Sequence, residues 1–201
     1  MSRFVITIGR EFGCTASSVG RKIAAKLNVK FYEKELVEKA AKVAGMDESS
    51  IYNIDGKESK KALMQHYVNE FDYGTTSGFY NENAVEAQAS VIRDLAQHES
   101  CVMFGRCADY FLSDFDNVLN VFLYAPADYR TEHVSNFYNL SVKESKKLIK
   151  KIDKLRRKWY KYATGQDREE INNRHLMINM EKFTVDEAVD IIIKTAQMKL
   201  K

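Results

Sequence analysis

Apolar positions along the chain fall into two alternating kinds of segment: short β-branched runs and longer stretches at helical spacing. Residues 4–8 (FVITI) read as a buried parallel strand ending at Gly9. Val19, Ile23 and Leu27 recur at i, i+4 and i+8 and predict a helix over 17–27. Residues 30–32 form a short second strand, and Leu36, Val37, Ala40 and Ala44 a helix stopped by Gly45. Ala84, Gln88, Val91, Ile92 and Leu95 mark one face of a long helix. Residues 101–104, 118–124 and 175–179 supply three more strands. Ser141-Val-Lys-Glu144 and Thr184-Val-Asp-Glu187 are capping-box patterns that open the last two long helices. Residues 47–83 carry no clear period; their second half reads as a loop with aromatic anchors.

Strands alternating with helices imply an α/β fold with a parallel sheet covered on both faces. Ligands of such sheets sit beyond the carboxyl ends of the strands. The exits to inspect are therefore Gly9-Arg10, Tyr32-Glu33, Gly105-Arg106 and Ala125-Pro126, two of which carry a Gly-Arg pair.

Between the first strand and the first helix lies Gly9-Arg-Glu-Phe-Gly13-Cys-Thr-Ala-Ser-Ser18. Unpaired N–H groups at a helix start accept an anion, and Gly13, Cys14, Thr15 and Ala16 are small enough for close approach. Ser17 or Ser18 would cap the helix or hold magnesium. GxxxxGK[ST] is absent, and no lysine lies between Gly9 and Ser18. On this pattern a plain strand-to-helix turn with a serine cap is an equal alternative.

The 201 residues suit one domain, and one Pro with 9 Gly argues against a linker-rich chain. No apolar run approaches the roughly 20 residues that span a bilayer. Three cysteines, none in CxxC spacing, fit a reduced, cytoplasmic setting. The net charge of +3 names no polyanionic partner, but its distribution is uneven. Between Ser141 and Tyr162 ten basic residues face two acids, an excess of eight, which leaves the rest of the chain at −5. Such a concentration holds phosphates or is simply a solvated helix face. The four histidines lack metal-ligand spacing. Cys14 is a loop filler or a thiol activated at a helix start. Asp109 binds substrate or caps the helix after Arg106, and Trp159, Tyr160 and Tyr162 pack or stack a base.

The segments GREFGCTASSVGRKIAAKL, FYEKELV, VEAQASVIRDLA, MFGRCADYFL, VFLYAP, KLIKKIDKLRRKWYKYATG and HLMIN, in this order, resemble the cytidylate kinase-like family of bacterial proteins. The resemblance covers nearly the whole chain. It implies a P-loop kinase-like three-layer α/β/α fold with a five-stranded parallel sheet, a helical monophosphate-binding region near 33–83 and a lid near 130–170. The implied reaction moves a phosphoryl group from ATP, with Mg, to CMP, dCMP or a related nucleotide. Gly13 to Ser18, with Arg10, would surround the donor phosphates, Ser17 being the candidate magnesium ligand. Tyr32 and Glu33, where relatives often have Tyr-Asp, and Asp109 would edge the acceptor pocket. Arg106 would hold the acceptor phosphate. Arg106, Arg130 and Arg156 would be the catalytic arginines, with Lys154, Arg156 and Arg157 closing as the lid.

Relatives commonly read Ser-Arg-Glu-Tyr-Gly-Ser-Gly-Gly-Arg in the first loop. Here Thr15 and Ala16 replace two glycines, and Ser17 the arginine. The altered loop keeps open a second reading, a nucleotide-binding protein impaired in catalysis. A nucleic-acid binder using residues 141–162 is the third.

Overall fold

The computed structural model describes residues 3–33, 35–43 and 82–200. The monophosphate-binding region expected near 33–83 thus falls largely outside the described residues. Five parallel strands are described: β1 (Val5–Arg10), β2 (Lys30–Tyr32), β3 (Cys101–Phe104), β4 (Val118–Tyr124) and β5 (Leu176–Asn179), in the order β2-β3-β1-β4-β5. Around them lie α1 (Ala16–Leu27), α2 (Glu35–Val43), α3 (Glu82–His98), the short α4 (Ala108–Phe111), α5 (Ala127–Tyr138), α6 (Val142–Thr164) and α7 (Val185–Lys199).

Strand alternation sorts the core into two layers, because successive side chains leave opposite faces of a sheet. Ile6, Ile8, Val102 and Phe104 meet α1 and α7 through Val19, Ile23, Val189 and Ile192. Val5, Cys101 and Met103 face the other way, onto Leu36, Ile92, Phe111 and Trp159. A third cluster, Phe12, Val134, Leu148 and Ile152, packs the first loop against α5 and α6. Between the central strands the buried Thr7 hydroxyl donates to Asn120 Oδ1 at 2.7 Å.

Both expected capping boxes form. The Ser141 and Thr184 hydroxyls each accept from the N–H three residues on, and Glu144 and Glu187 reach back. The strand β1 runs two residues past its expected end, so Gly9 and Arg10 lie inside the sheet, paired with Phe122 and Leu123. A Cβ at Gly9 would lie 2.8 Å from the Phe122 ring, which explains a glycine within a strand. The loop proper is therefore residues 11–15. Among the described residues no helix is long and apolar enough to cross a membrane.

Candidate phosphate-binding site

The loop from Glu11 to Thr15 is built to expose the first turn of α1. Gly13 has φ +85° and packs so closely that a Cβ would meet Val134 Cγ2 at 2.8 Å. Thr15 holds φ +59° as the N-cap of α1, a left-handed conformation that costs a threonine about 1–2 kcal/mol. A strained threonine thus holds the left-handed turn at a position where the resemblance leads one to expect glycine. Ala16 becomes the first residue of the helix, one position earlier than expected. Neither Ser17 nor Ser18 caps α1, whose N-cap makes no side-chain hydrogen bond.

Above this turn opens a cavity of about 400 Å³. Every residue from Arg10 to Ser18 lines it. Arg21, Glu33 and Arg156 also reach it, as do the aromatic side chains of α5. A smaller cavity, about 50 Å³, adjoins it at Arg10 and Arg156 and is lined by Arg106, Asp109, Arg168 and Arg174 among others.

The expected site residues divide. Arg10, the loop, Glu33 and Arg156 meet in the larger cavity. Arg106 and Asp109 meet Arg10 and Arg156 in the smaller one. Arg130 is placed elsewhere, beneath the loop. It donates to Ala125 O (3.0 Å), Phe12 O (3.3 Å) and Asp153 Oδ2 (2.6 Å), with Glu11 at 3.4 Å. These contacts make it a clamp that holds the loop to α5 and α6. Tyr32 also turns away, its hydroxyl donating to Glu99. Lys154 and Arg157 lie on the exposed face of α6, Arg157 paired with Glu169 at 2.6 Å. Nine of the ten basic residues between 141 and 162 share that exposure; only Arg156 is buried.

Asp109 is buried and committed, accepting from Tyr160 Oη at 3.0 Å and from Arg174. Trp159 and Tyr160 are buried packing residues, while Tyr162 is exposed. Cys14 fills space: its Sγ lies 3.1 Å from Glu11 O, and burial pushes the thiol up to about 11. That is the opposite of an activated cysteine.

Two further arginines, Arg168 and Arg174, complete the cluster. Arg168 is buried and donates to Arg10 O. Arg174 donates to Asp109 and to Arg168 O, its guanidinium 4.8 Å from the Phe122 ring centroid. They lie in the irregular stretch between α6 and β5, where no periodicity flags a site. Arg174 stands just before β5, which re-enters the sheet beside β4.

The cluster carries more positive than negative charge. Arg174 is answered by Asp109, and Asp153 serves Arg130 and lies 3.8 Å from Arg156. Arg10 and Arg168 have no carboxylate within 4 Å among the described residues. The Arg10 guanidinium sits 3.8 Å from the Phe104 ring centroid, and its buried Nε has no hydrogen-bond partner there. A Cβ at Gly105 would collide with it, and Gly105, Arg106 and Cys107 all hold left-handed φ, +75°, +60° and +58°. Three such residues in a row turn the β3 exit sharply around the guanidinium. Burial, with repulsion from Arg156, drives Arg10 well below the usual guanidinium value. Burial lowers Arg168 as well and brings Arg156 down to about 10. A cluster of buried cations in excess of its carboxylates is what an anion would relieve.

Comparison with known proteins bears on the fold and the family. A crystal structure of an uncharacterized protein from Eubacterium ventriosum superposes with a TM-score of 0.74 at 27% identity, covering 98% of this chain and 99% of that one. Shikimate kinase from Bacteroides thetaiotaomicron gives 0.52 at 14% identity, covering 96% and 98%. Shikimate kinase from Acinetobacter baumannii, solved with shikimate, gives 0.51 at 16%, covering 100% and 97%. The sheet order and these neighbours show the expected P-loop kinase fold. No protein with a curated description matches the sequence significantly. The sequence profile of the cytidylate kinase-like family matches residues 5–182, and the chain belongs to that family.

Proposed function

We propose that the protein is a nucleotide kinase that moves the terminal phosphoryl group of ATP to CMP, dCMP or a related acceptor. The observation that carries this is the convergence of the left-handed turn at Gly13–Thr15, the first turn of α1 and the unanswered guanidinium of Arg10 on one cavity. Phosphoryl transfer needs positioned positive charge more than covalent chemistry. In this reading the amides opening α1 hold the donor phosphates, and Arg10 and Arg156 neutralise charge on the transferring group. Arg106 and Arg168 hold acceptor phosphate from the smaller cavity. Glu33, 2.8 Å from Arg21, stands at the acceptor edge. Residues near 33–83 form the acceptor region and 130–170 the lid, from which Arg156 already reaches inside.

Magnesium fits this donor set as a phosphate-bound ion. No group of three or more His, Cys, Asp or Glu side chains gathers among the described residues. Ser17, which lines the cavity, would hold the ion through its hydroxyl, with phosphate and water oxygens as its other ligands. Bound there, the ion would neutralise charge on the donor phosphates.

An ADP-release assay across CMP, dCMP, UMP and AMP tests the transfer. Turnover with at least one acceptor is expected, and none with any of them refutes the kinase reading. Ala16 at the start of α1, where a phosphate-loop lysine would stand, favours the second reading of binding without transfer. That reading predicts a thermal shift with ATP and no ADP formed. At 100 times Kd a ligand adds about 2.7 kcal/mol. For a chain of this size that is a rise of about 5–11 °C in Tm. No shift with ATP or tripolyphosphate would remove both readings.

A further inference from the structure

Gln88 is a polar misfit on an apolar face. It stands on α3 beside Ala84, Val91, Ile92 and Leu95, and it is 1% exposed. That face packs into the core layer that holds Cys107, Ala108 and Phe111. A buried amide costs stability unless it is hydrogen-bonded, whereas a methionine would fill the same space without that demand. The Gln88 Nε2 donates to the carbonyl of Arg106 at 3.0 Å.

That carbonyl lies in the middle of the left-handed turn at the exit of β3. Glycine suits such a turn, as at Gly105, but Arg106 and Cys107 carry side chains that oppose it. Backbone donors reach the carbonyls on either side. The Ala108 N–H donates to Gly105 O at 3.2 Å, and the Tyr110 N–H to Cys107 O at 2.9 Å. Gln88 supplies a donor to the carbonyl between them. The backbone thus secures the two ends of the turn, and a buried side chain secures its centre.

What the turn aims is the Arg106 guanidinium. Arg106 lines the smaller cavity with Arg10, Arg156, Arg168 and Arg174. Its charge is felt there, since repulsion from Arg106 contributes to the lowering of both Arg10 and Arg156. Relaxation of Arg106 to an ordinary φ of about −60° would turn its Cα–Cβ bond, and the guanidinium with it, in another direction.

We propose that Gln88 is the positioning residue of Arg106: it holds the peptide after Arg106 in the left-handed turn, keeps the guanidinium in the smaller cavity, and so sets the affinity for the acceptor's phosphate. This rests on the reading of Arg106 as the acceptor-phosphate ligand. Gln88 acts only through Arg106, and that separates it from a residue that merely fills the core.

A double-mutant cycle tests this on the whole protein. CMP, dCMP, UMP and AMP are titrated calorimetrically into wild type, Gln88→Met, Arg106→Met and the double variant, with ATP and excess magnesium titrated in parallel. For the monophosphate that binds tightest, Gln88→Met should weaken binding about tenfold and Arg106→Met about thirtyfold. ATP affinity in Gln88→Met should stay within about threefold of wild type. The double variant should match Arg106→Met within about twofold, because the glutamine has nothing left to position. Gln88→Leu, which also lacks the donor, should repeat the result, and circular dichroism checks that each variant folds. Unchanged monophosphate affinity in Gln88→Met and Gln88→Leu, with Arg106→Met weakened, overturns the positioning role and leaves the phosphate reading standing. Losses that multiply in the double variant, or an equal loss for ATP, mark a general structural effect and overturn it too. Arg106→Met without effect, or no monophosphate bound by wild type, brings down the acceptor-phosphate reading and the role of Gln88 with it.

Discussion

Removing the Asp153 carboxylate should loosen the first loop and destabilise the protein together. Its Oδ1 accepts the Phe12 N–H at 2.9 Å, and its Oδ2 accepts Arg130 at 2.6 Å. The Asp153 and Arg130 side chains are each 11% exposed, and Arg156, 3.8 Å away, is 9% exposed. Breaking a buried ion pair by deleting one partner costs about 3–5 kcal/mol, because the other charge stays behind unanswered. The lost acceptor for Phe12 adds about 1 kcal/mol. Asp153→Ala is therefore expected to lose about 4–6 kcal/mol in urea unfolding, close to the whole stability of a marginal domain. Deleting both charges, Asp153→Ala with Arg130→Met, should recover part of that loss, with a coupling energy of about 2 kcal/mol or more. The reasoning is refuted if Asp153→Ala costs under about 1 kcal/mol, or if the two substitutions simply add.

Two further outcomes follow from backbone and burial. Gly13→Ala should be worse than Gly165→Ala in thermal melts. Both positions are left-handed, with φ +85° and +70°, but only at Gly13 does a Cβ clash, 2.8 Å from Val134, whereas nothing lies within 4 Å of one at Gly165. Strain alone costs about 1–2 kcal/mol, and overpacking adds about 1–3; equal losses would contradict the packing described. Alkaline pH should destabilise the protein through its buried thiols. Burial pushes Cys14 to about 11 and Cys101 to about 12, above the ordinary value near 9. Folded-state values that are raised confer stability below the unfolded pKa, and that stability is lost as pH rises. From pH 9 to 10 unfolding free energy should fall by up to about 1.4 kcal/mol per thiol. A flat profile in urea midpoints over that window would contradict it.

What could be read in the sequence follows the reach of the interactions. Capping boxes close over three residues, and strands declare themselves by their own β-branched runs, so residues 30–32, 101–104 and 118–124 match the observed strands. The end of β1 was not local: Gly9 and Arg10 stay in the sheet because β4 runs alongside them, more than a hundred residues on. The same limit sorts the arginines. Arg10 and Arg156 reach the cavity from positions that a strand exit and a basic helix made visible. Arg130 comes six residues after the end of β4, yet Asp153 and the carbonyls of Ala125 and Phe12 take up its guanidinium. Tyr32 is drawn off by Glu99 in the same way. Whether a cation serves a ligand or the scaffold depends on whether a protein acceptor reaches it first, and for Arg130 two of the three acceptors lie 23 and 118 residues away. The loop shows the converse. Its sequence departs from the glycine-rich pattern at Thr15, yet the backbone keeps the left-handed turn, because packing of Gly13 on α5 and the Asp153 clamp on Phe12 fix the chain on its N-terminal side. Tertiary contacts here hold a conformation that local preference opposes, so the glycine missing at Thr15 leaves the turn itself in place.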